Sequence, residues 1–472
     1  MGAVHDFTSL VVSARNNGMT IGDLTGKIIS PSTRYAFQFI IQLLLFIVLA
    51  VFALIVGTLF NMYPQSVIPV WLQIPIAIWL GASLRKGRNE LLYSAIALLL
   101  MYGSIVLGVY VPVEPAWAVS IWCLILFVYV FFASTTPVQV LLQPRDYINS
   151  MQLLVAIVLI MLGLAIAHPE ISAPAVNHQA FAEGSDVPSL APLMFIIIAC
   201  GAISGFHSLA SSGTTVKQVD KESDTLFIGY GGMITESFFA VLVLMAIGGG
   251  LGMGLMVDDT LLTGTEAFQH HYASWSAANG LGAKLGAFIT GGANLLGALG
   301  IPTGFAEAMI SVFIVSFANT TLDSAARIQR LSLQEIFKDK QNNIRKPINN
   351  RYVATFIVVL LASVMTFLKP GGQGAMVLWP LFGSLNQLMA ALALGVVTVY
   401  LHLKKKPVVY TLVPGLIILV LTIWAMVVNG MDFLEKKDYV LSVLNVLVLI
   451  LTAWLLISSL IAFFKGKEET LQ

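Results

Sequence analysis

The stretch YAFQFIIQLLLFIVLAVFALIVGTLFN, residues 35–61, contains no charged side chain and is apolar at nearly every position. A helix needs about 20 such residues to cross the hydrocarbon core of a bilayer. A surface helix of a soluble domain is instead apolar on one face only. The stretch therefore predicts a transmembrane helix.

The whole 472-residue chain has the same character. Only 10% of its residues are charged, 57% are hydrophobic and the formal net charge is +1; the mean hydropathy is +0.87. Soluble proteins carry roughly 25% charged residues, so this composition excludes a soluble enzyme, a nucleic-acid-binding protein and a disordered chain. The composition predicts an all-α, polytopic integral membrane protein that forms one transmembrane domain over residues 1–472.

Eleven further apolar runs predict about twelve transmembrane helices in total. Basic loops, such as 327–351 and the one with Lys404, alternate with loops that are acidic, mixed or weakly charged, such as those with Glu114, Glu183 and Asp258. The positive-inside rule then places residues 1–34, the tail 464–472 and hence both termini in the cytoplasm. The predicted runs are 35–61, 67–84, 90–112, 117–142, 147–167, 192–212, 226–256, 302–326, 352–369, 376–401, 408–429 and 439–463.

Residues 282–326 are too long for one crossing, yet two crossings would place the basic loop 327–351 outside. Glycines concentrate near residues 291–300, directly before Pro302. We therefore predict a re-entrant or interfacial helix over 282–300 and a single crossing over 302–326. Irregular backbone at membrane depth is tolerated where protein or water covers it.

Glu236 and His207 lie inside predicted spans, where ionisable groups are costly and mark function. Glu236 lies ten residues into its run, with Gly229 and Gly232 on the same helix face. It is either a protonatable group on a transport path or a neutral carboxylic acid that holds two helices together. His207 shares a helix face with Ser204 and other hydroxyls, and it is either a proton carrier or a packing residue.

Three hydroxyl clusters lie in runs that the loop charges orient in the same direction: Ser134–Thr136 before Pro137, Ser211–Thr215, and Asn319–Thr321. Pro137 should break its helix, because proline lacks a backbone donor. Helix C-terminal ends together with hydroxyls can hold a coupling cation in transporters. The alternative is ordinary hydrogen bonding between helices.

Motifs for other chemistry are missing from the sequence. There is no HExxH motif, and Cys123 and Cys200 form no CxxC metal motif or disulfide framework. Asn386 and Gln387 lie in mid-span beside Pro380, and amides at that depth need partners. We therefore expect no enzyme activity, no cofactor and no metal site.

Several longer motifs are similar to those of a known family. They are GAVHDF (2–7), QPRDY (143–147), SGFH (204–207) running to SSGTT (211–215), FIGYGGM (227–233) with ES (236–237), AAR (325–327), and LWPLFG (378–383) with NQ (386–387). On these motifs the chain resembles the carbon starvation protein A (CstA) family of bacterial inner-membrane transporters, over nearly its whole length. The resemblance implies starvation-linked, proton-driven uptake of peptides or pyruvate. It also implies the inverted five-helix repeat of the amino acid–polyamine–organocation superfamily.

Members of that family carry further spans before the GAVHDF segment, including a broken helix. The resemblance therefore implies an N-terminally short member that lacks the first broken helix. We expect the 472-residue chain alone to be unstable or inactive, and the missing spans to restore uptake. A membrane sensor or scaffold that binds ligand without transporting it is the alternative function, and an inactive fragment is another.

The resulting hypothesis is a secondary transporter in the bacterial plasma membrane for a small carboxylated nutrient, peptide or pyruvate. Its partners are membrane lipid, the substrate, and a proton or another coupling cation; no nucleic acid is expected, and the oligomeric state stays open. The substrate-binding candidates are Ser134, Thr135, Thr136, Pro137, Ser204, Gly205, His207, Ser208, Asn386 and Gln387. The coupling candidates are Glu236, His207, Ser211, Ser212, Thr214, Thr215, Thr320 and Thr321, and the gate candidates are Arg145, Asp146, Asp323 and Arg327.

Overall fold

The computed structural model describes residues 1–113, 117–178, 185–338 and 344–465. The predicted loop residues Glu114, Glu183 and Lys340 and most of the predicted tail 464–472 lie outside these ranges. The described chain is mostly helical. Its α-helices are α1 Gly2–Ala14, α2 Ile21–Ile28, α3 Pro31–Met62, α4 Val67–Arg85, α5 Glu90–Tyr110, α6 Val119–Thr135, α7 Leu142–Ala167, α8 Phe195–Ala202, α9 Gly205–Gly213, α10 Gly232–Met245, α11 Gly264–His271, α12 Trp275–Ala278, α13 Leu281–Gly297, α14 Thr303–Ile336, α15 Arg351–Phe367, α16 Gly374–Leu403, α17 Val409–Glu435 and α18 Tyr439–Lys465.

Short 3₁₀ and π segments extend several of these helices, and the described strands form one antiparallel hairpin. The hairpin pairs β1 Leu255–Val257 with β2 Thr260–Leu262. The short helical segments are Pro64–Ser66, Leu190–Met194, Thr215–Lys217, Leu226–Gly231, Ala246–Gly250, Leu251–Met253 and Pro370–Gly372.

Ten helical segments in the described ranges are long and apolar enough to cross a membrane, so the chain is a multi-pass membrane protein. Each of the twelve predicted runs is helical over most of its length. The two runs outside the ten are α6 and α15, which are apolar but only 17 residues long. Their crossing stays a prediction, as does a re-entrant position for α13.

Two predicted boundaries are wrong. The run 117–142 is helical only to Thr135, and Thr136 is extended, because the residue before a proline avoids the helical conformation. The run 302–326 continues as one helix to Ile336. No Gly or Pro stands between residues 305 and 336 to stop it, so part of the predicted basic loop is helix.

The chain divides into two compact units, each assembled from separate stretches. The first comprises Met1–Val51, Pro188–Ser237 and Ser324–Gln472, and the second Phe52–Val187 and Phe238–Asp323. In the first unit α16 is the central helix, since most of its residues are buried. It packs against α1, α2, α8, α9, α15, α17 and α18.

The second unit is built around α4, α5 and α7, which enclose an apolar cluster that includes Leu80, Met101 and Ile148. Helix α13 packs on α7 and on the segment Ala246–Gly250. The close approach requires glycine, because a Cβ at Gly291 would overlap the carbonyl of Ala246. Gly291, one of the glycines in this run, therefore allows two backbones to touch, and the run is interrupted between the end of α13 at Gly297 and the start of α14 at Thr303.

Contacts within each unit agree with the predicted grouping of loops. In the first unit, Asp23 binds Lys338 at 2.6 Å, and Arg15 binds Glu222 at 2.6 Å, so three predicted cytoplasmic segments lie together. In the second unit, Asp186 accepts a hydrogen bond of 2.9 Å from the backbone N–H of Ser276. That bond lowers the pKa of Asp186 and joins two loops predicted to be extracellular.

Cysteine labelling tests the resulting sidedness. In a cysteine-free background, Glu266→Cys should react with an impermeant maleimide on intact cells, because its loop is predicted to face outward. Arg345→Cys, in the basic loop after α14, should react only after the cells are permeabilised. Both native side chains are exposed, so neither result depends on burial. Reaction of position 345 in intact cells would overturn the predicted orientation and the re-entrant reading of α13.

Candidate functional site

A helix break lies in the first unit, between α8 and α9. Ile203 and Ser204 are extended, with φ of −150° and −113°. The buried amide of Asn386 supports this break: its Oδ1 accepts hydrogen bonds from Ser204 Oγ at 3.1 Å and from the backbone N–H of Phe206 at 2.9 Å. Side-chain bonds of this kind make irregular backbone tolerable at membrane depth.

Glycines bring other elements close to the break. A Cβ at Gly205 would overlap Met389 and the carbonyl of Asn386, and one at Gly2 would overlap the carbonyl of Ala202. A Cβ at Gly229 would lie 2.7 Å from the Cα of Phe7. These contacts hold α9 against α16, and they hold α1 against the end of α8 and against the segment that leads into α10.

The close packing assembles a chain of four ionisable side chains in the first unit. His5 Nδ1 lies 2.7 Å from Asp6 Oδ1, and Asp6 Oδ2 lies 2.9 Å from His207 Nδ1. His207 Nε2 lies 3.9 Å from Glu236 Oε2. Side-chain exposure rises along the chain, from 0% at His5 through 11% and 27% to 47% at Glu236.

Two of these residues, His207 and Glu236, are predicted coupling residues, and the structure brings them together. Their link to Asp6 and His5 was not predicted. The available signal was an ionisable pair, His5–Asp6, in an otherwise uncharged helix. Within the described ranges, no group of three or more His, Cys, Asp or Glu side chains is arranged to hold a metal ion.

A cavity of about 380 Å³ lies beside the helix break. Its lining is mainly apolar and includes Ala202, Ile203, Met233 and Ser237. Gln387, next to Asn386, is fully buried, and neither polar atom of its side chain has a hydrogen-bond partner in the described part of the chain. Buried amides without partners are rare and call for an explanation.

Comparison with known proteins gives the family. A family model described as "Carbon starvation protein CstA" matches residues 1–425. The chain belongs to the carbon starvation protein CstA family. The matched range includes the four ionisable residues His5, Asp6, His207 and Glu236 and the helix break at Ile203–Ser204.

Curated relatives are longer than this chain. "Peptide transporter CstA" of Mycobacterium tuberculosis is 32% identical over 88% of this chain, which spans 61% of that relative's length. "Pyruvate/proton symporter BtsT" of Escherichia coli is 32% identical over 90% of this chain and 68% of the relative. Among solved structures, an Eremococcus coleocola manganese transporter is 16% identical, with a TM-score of 0.41, and covers 98% of this chain and 95% of its own.

The hydroxyl clusters of this CstA-family chain bond largely within their own helices. Ser212, Thr214 and Thr321 each donate to a carbonyl four residues earlier. Ser212 Oγ also accepts from the backbone N–H of Ile21 at the start of α2. This pattern favours the helix-packing alternative for Ser212, and cation coupling at the clusters stays a prediction.

The predicted gate residues lie mostly in the second unit, where Arg145 is fully buried. Arg145 Nη1 binds Asp323 Oδ2 at 2.8 Å, and Tyr129 OH donates to the same oxygen at 2.7 Å. Arg145 Nε donates to Gln73 Oε1 at 3.1 Å.

Asp146 follows Arg145 on α7, whereas Arg327 belongs to the first unit. Ser134–Pro137 also belong to the second unit, and their predicted share in the substrate site stays untested.

Removing one member of the buried pair Arg145–Asp323 should destabilise the protein strongly, whereas replacing both members with apolar residues should destabilise it much less. Asp323→Leu leaves a buried, unpaired guanidinium and should lower the stability of the protein by about 3–5 kcal/mol. The double variant Arg145→Met with Asp323→Leu should recover most of that loss, because no unpaired charge remains. Thermal unfolding in detergent measures both. A double variant no more stable than Asp323→Leu would contradict this energetic account.

Proposed function

We propose that this protein is a proton-coupled secondary transporter that imports a small carboxylated nutrient, a peptide or pyruvate, across the bacterial plasma membrane. Twelve helices cross the membrane in this proposal, α6 and α15 included, and both chain ends are cytoplasmic. The arrangement follows the inverted repeat implied by the family resemblance. Relatives named peptide transporter and pyruvate/proton symporter support the substrate class.

The observation that carries the proposal is the contact between the helix break and the chain of ionisable groups. Transporters bind substrates and coupling ions at broken helices, where backbone and side-chain polar groups are free to change partners. Here the break at Ile203–Ser204 is followed three residues later by His207, which contacts Asp6 and faces Glu236. A change at the break therefore moves a proton-carrying group directly.

Substrate binding is proposed at the same break. Asn386 and Gln387 offer amides, Ser204 and Ser208 offer hydroxyls, and the neighbouring cavity accepts an apolar group. Gln387 supports this proposal because its amide makes no hydrogen bond within the described chain. The sequence-predicted candidates Ser134–Pro137 belong to the second unit and are not part of this proposed site.

Uptake into proteoliposomes tests the transport proposal. Purified protein is reconstituted, and radiolabelled pyruvate and a radiolabelled dipeptide are offered with and without an inward proton gradient. Accumulation above equilibrium that requires the gradient supports a proton-coupled transporter and identifies the substrate class. Binding of either compound without accumulation would instead establish the sensor or scaffold function.

Glu236 gives the matching variant test. Glu236→Gln keeps the shape of the side chain but cannot titrate. We expect this variant to lose gradient-driven accumulation while it retains exchange of labelled for unlabelled substrate, because exchange needs no net proton movement. Glu222→Gln is the control, since Glu222 is an exposed carboxylate bound to Arg15. Normal gradient-driven uptake by Glu236→Gln would leave Glu236 as a packing residue.

A further inference from the structure

Asp6 lies between two histidines in the row of four ionisable side chains, since each of its carboxylate oxygens has its own imidazole partner. Oδ1 contacts His5 Nδ1 at 2.7 Å and Oδ2 contacts His207 Nδ1 at 2.9 Å. A carboxylate accepts hydrogen bonds only. While Asp6 is ionised, both imidazoles therefore carry their proton on Nδ1 and donate it to Asp6.

The two imidazoles differ in what lies beyond them. His5 is fully buried, and its Nε2 has no hydrogen-bond partner in the described chain. In the described residues, the His5 side chain therefore hydrogen-bonds to Asp6 alone. His207 is partly exposed, and its Nε2 faces Glu236 at 3.9 Å. Within the described residues, His207 therefore connects Asp6 to a further ionisable group, Glu236.

We propose that Asp6 is the binding site of the transported proton, and that His207 delivers this proton from Glu236. The proposal rests on the proposed function. In the step, the O–H bond of protonated Glu236 breaks and an N–H bond forms at His207 Nε2. The Nδ1–H bond of His207 breaks and an O–H bond forms at Asp6 Oδ2. His207 is neutral before and after, Glu236 becomes a carboxylate, and Asp6 becomes a neutral acid.

The gap between His207 and Glu236 controls this step. The hydrogen bonds of Asp6 with His5 and with His207 are short. The 3.9 Å between His207 Nε2 and Glu236 Oε2 exceeds the range of a direct hydrogen bond. Proton entry therefore requires a bridging water or a shift of about 1 Å. Since His207 lies on α9, directly after the helix break, movement at the break opens or closes the proton path.

The surroundings of Asp6 give the proton a defined charge effect. The ionisable groups in contact with Asp6 are His5 on its own helix and His207 on α9, and Glu236 on α10 lies beyond His207. Among the other elements packed against α1, the segment Leu226–Gly231 carries no Asp, Glu, His, Lys or Arg side chain. The acidic and basic side chains of the remaining elements form no hydrogen bond or ion pair with Asp6 in the described residues. They are His402 of α16, Lys217 of the segment Thr215–Lys217, Asp23 and Lys27 of α2, and Asp432 and Glu435 of α17. Proton binding therefore changes the total charge of His5, Asp6 and His207 from −1 to zero, which removes a buried charge.

Histidine NMR tests the assignment directly. In protein with ¹⁵N-labelled histidine, reconstituted in nanodiscs, we expect His207 to carry its proton on Nδ1 at high pH. On acidification His207 should switch to the Nε2–H tautomer while it stays neutral, because the proton moves on to Asp6. Formation of an imidazolium at His207 under the same conditions would overturn the proposal, since the proton would then rest on the ring.

Transport by variants provides the second test. Asp6→Asn should lose gradient-driven accumulation and keep substrate exchange, and Asp6→Glu should retain part of the accumulation. Asp224→Asn, which removes an exposed carboxylate from the same unit, should behave as the unchanged protein. If the unchanged protein accumulates substrate with the gradient and Asp6→Asn does so equally, the proposal for Asp6 is wrong while the transport function stands.

Two further outcomes separate the proposals. An unchanged protein that never accumulates substrate would contradict the proposed function, whereas the neutral tautomer switch of His207 would still support proton binding at Asp6. If Asp6→Asn loses exchange as well, it has lost its fold or its substrate site. Two other measurements then test the proposal. Partial accumulation by Asp6→Glu and a neutral tautomer switch at His207 support it, and an imidazolium at His207 refutes it.

Discussion

A carboxylate inside a membrane protein needs partners within the protein, and this requirement governs both units. Leaving an ionised group unpaired in a low-dielectric interior costs several kcal/mol or more. Asp6 in the first unit is held by two imidazoles, and Asp323 in the second unit is held by Arg145 and Tyr129. The partners decide what each carboxylate can do. Imidazole exchanges protons near neutral pH, whereas arginine keeps its proton.

The first cluster is therefore suited to binding and releasing a proton, and the second to holding helices in place. Packing supports this difference. Around Asp6, Gly2 lets α1 approach the broken helix, and Gly205 lets that helix approach α16. The amide of Asn386 binds Ser204 and the backbone N–H of Phe206 at the break. Around Arg145, which lies on α7, the partners lie within the helices α4, α6 and α14. A break held by a few side-chain bonds can change conformation more easily than a continuous helix.

The sequence predicted most of the helices, because an apolar run of about 20 residues has few other uses. His207 and Glu236 drew attention as ionisable residues in such runs, and their role in coupling stays a prediction. The break at Ile203–Ser204 was not predicted, since the run 192–212 was expected to form one helix. Propensity could not locate it, because the break depends on hydrogen bonds to Asn386, about 180 residues away. The pairing of Asp6 with His207 is equally non-local, and only the fold brings these residues together.

The central assertion is that the Asp6–His207–Glu236 chain moves protons together with substrate. Proteoliposomes that contain a pH-sensitive dye in the lumen, with the membrane voltage clamped at zero, measure this movement. No pH gradient is applied, and an accepted substrate is added outside. The proposed symport predicts that the lumen acidifies as substrate enters, and that His207→Gln abolishes the acidification. Substrate entry with no change in luminal pH would contradict the account.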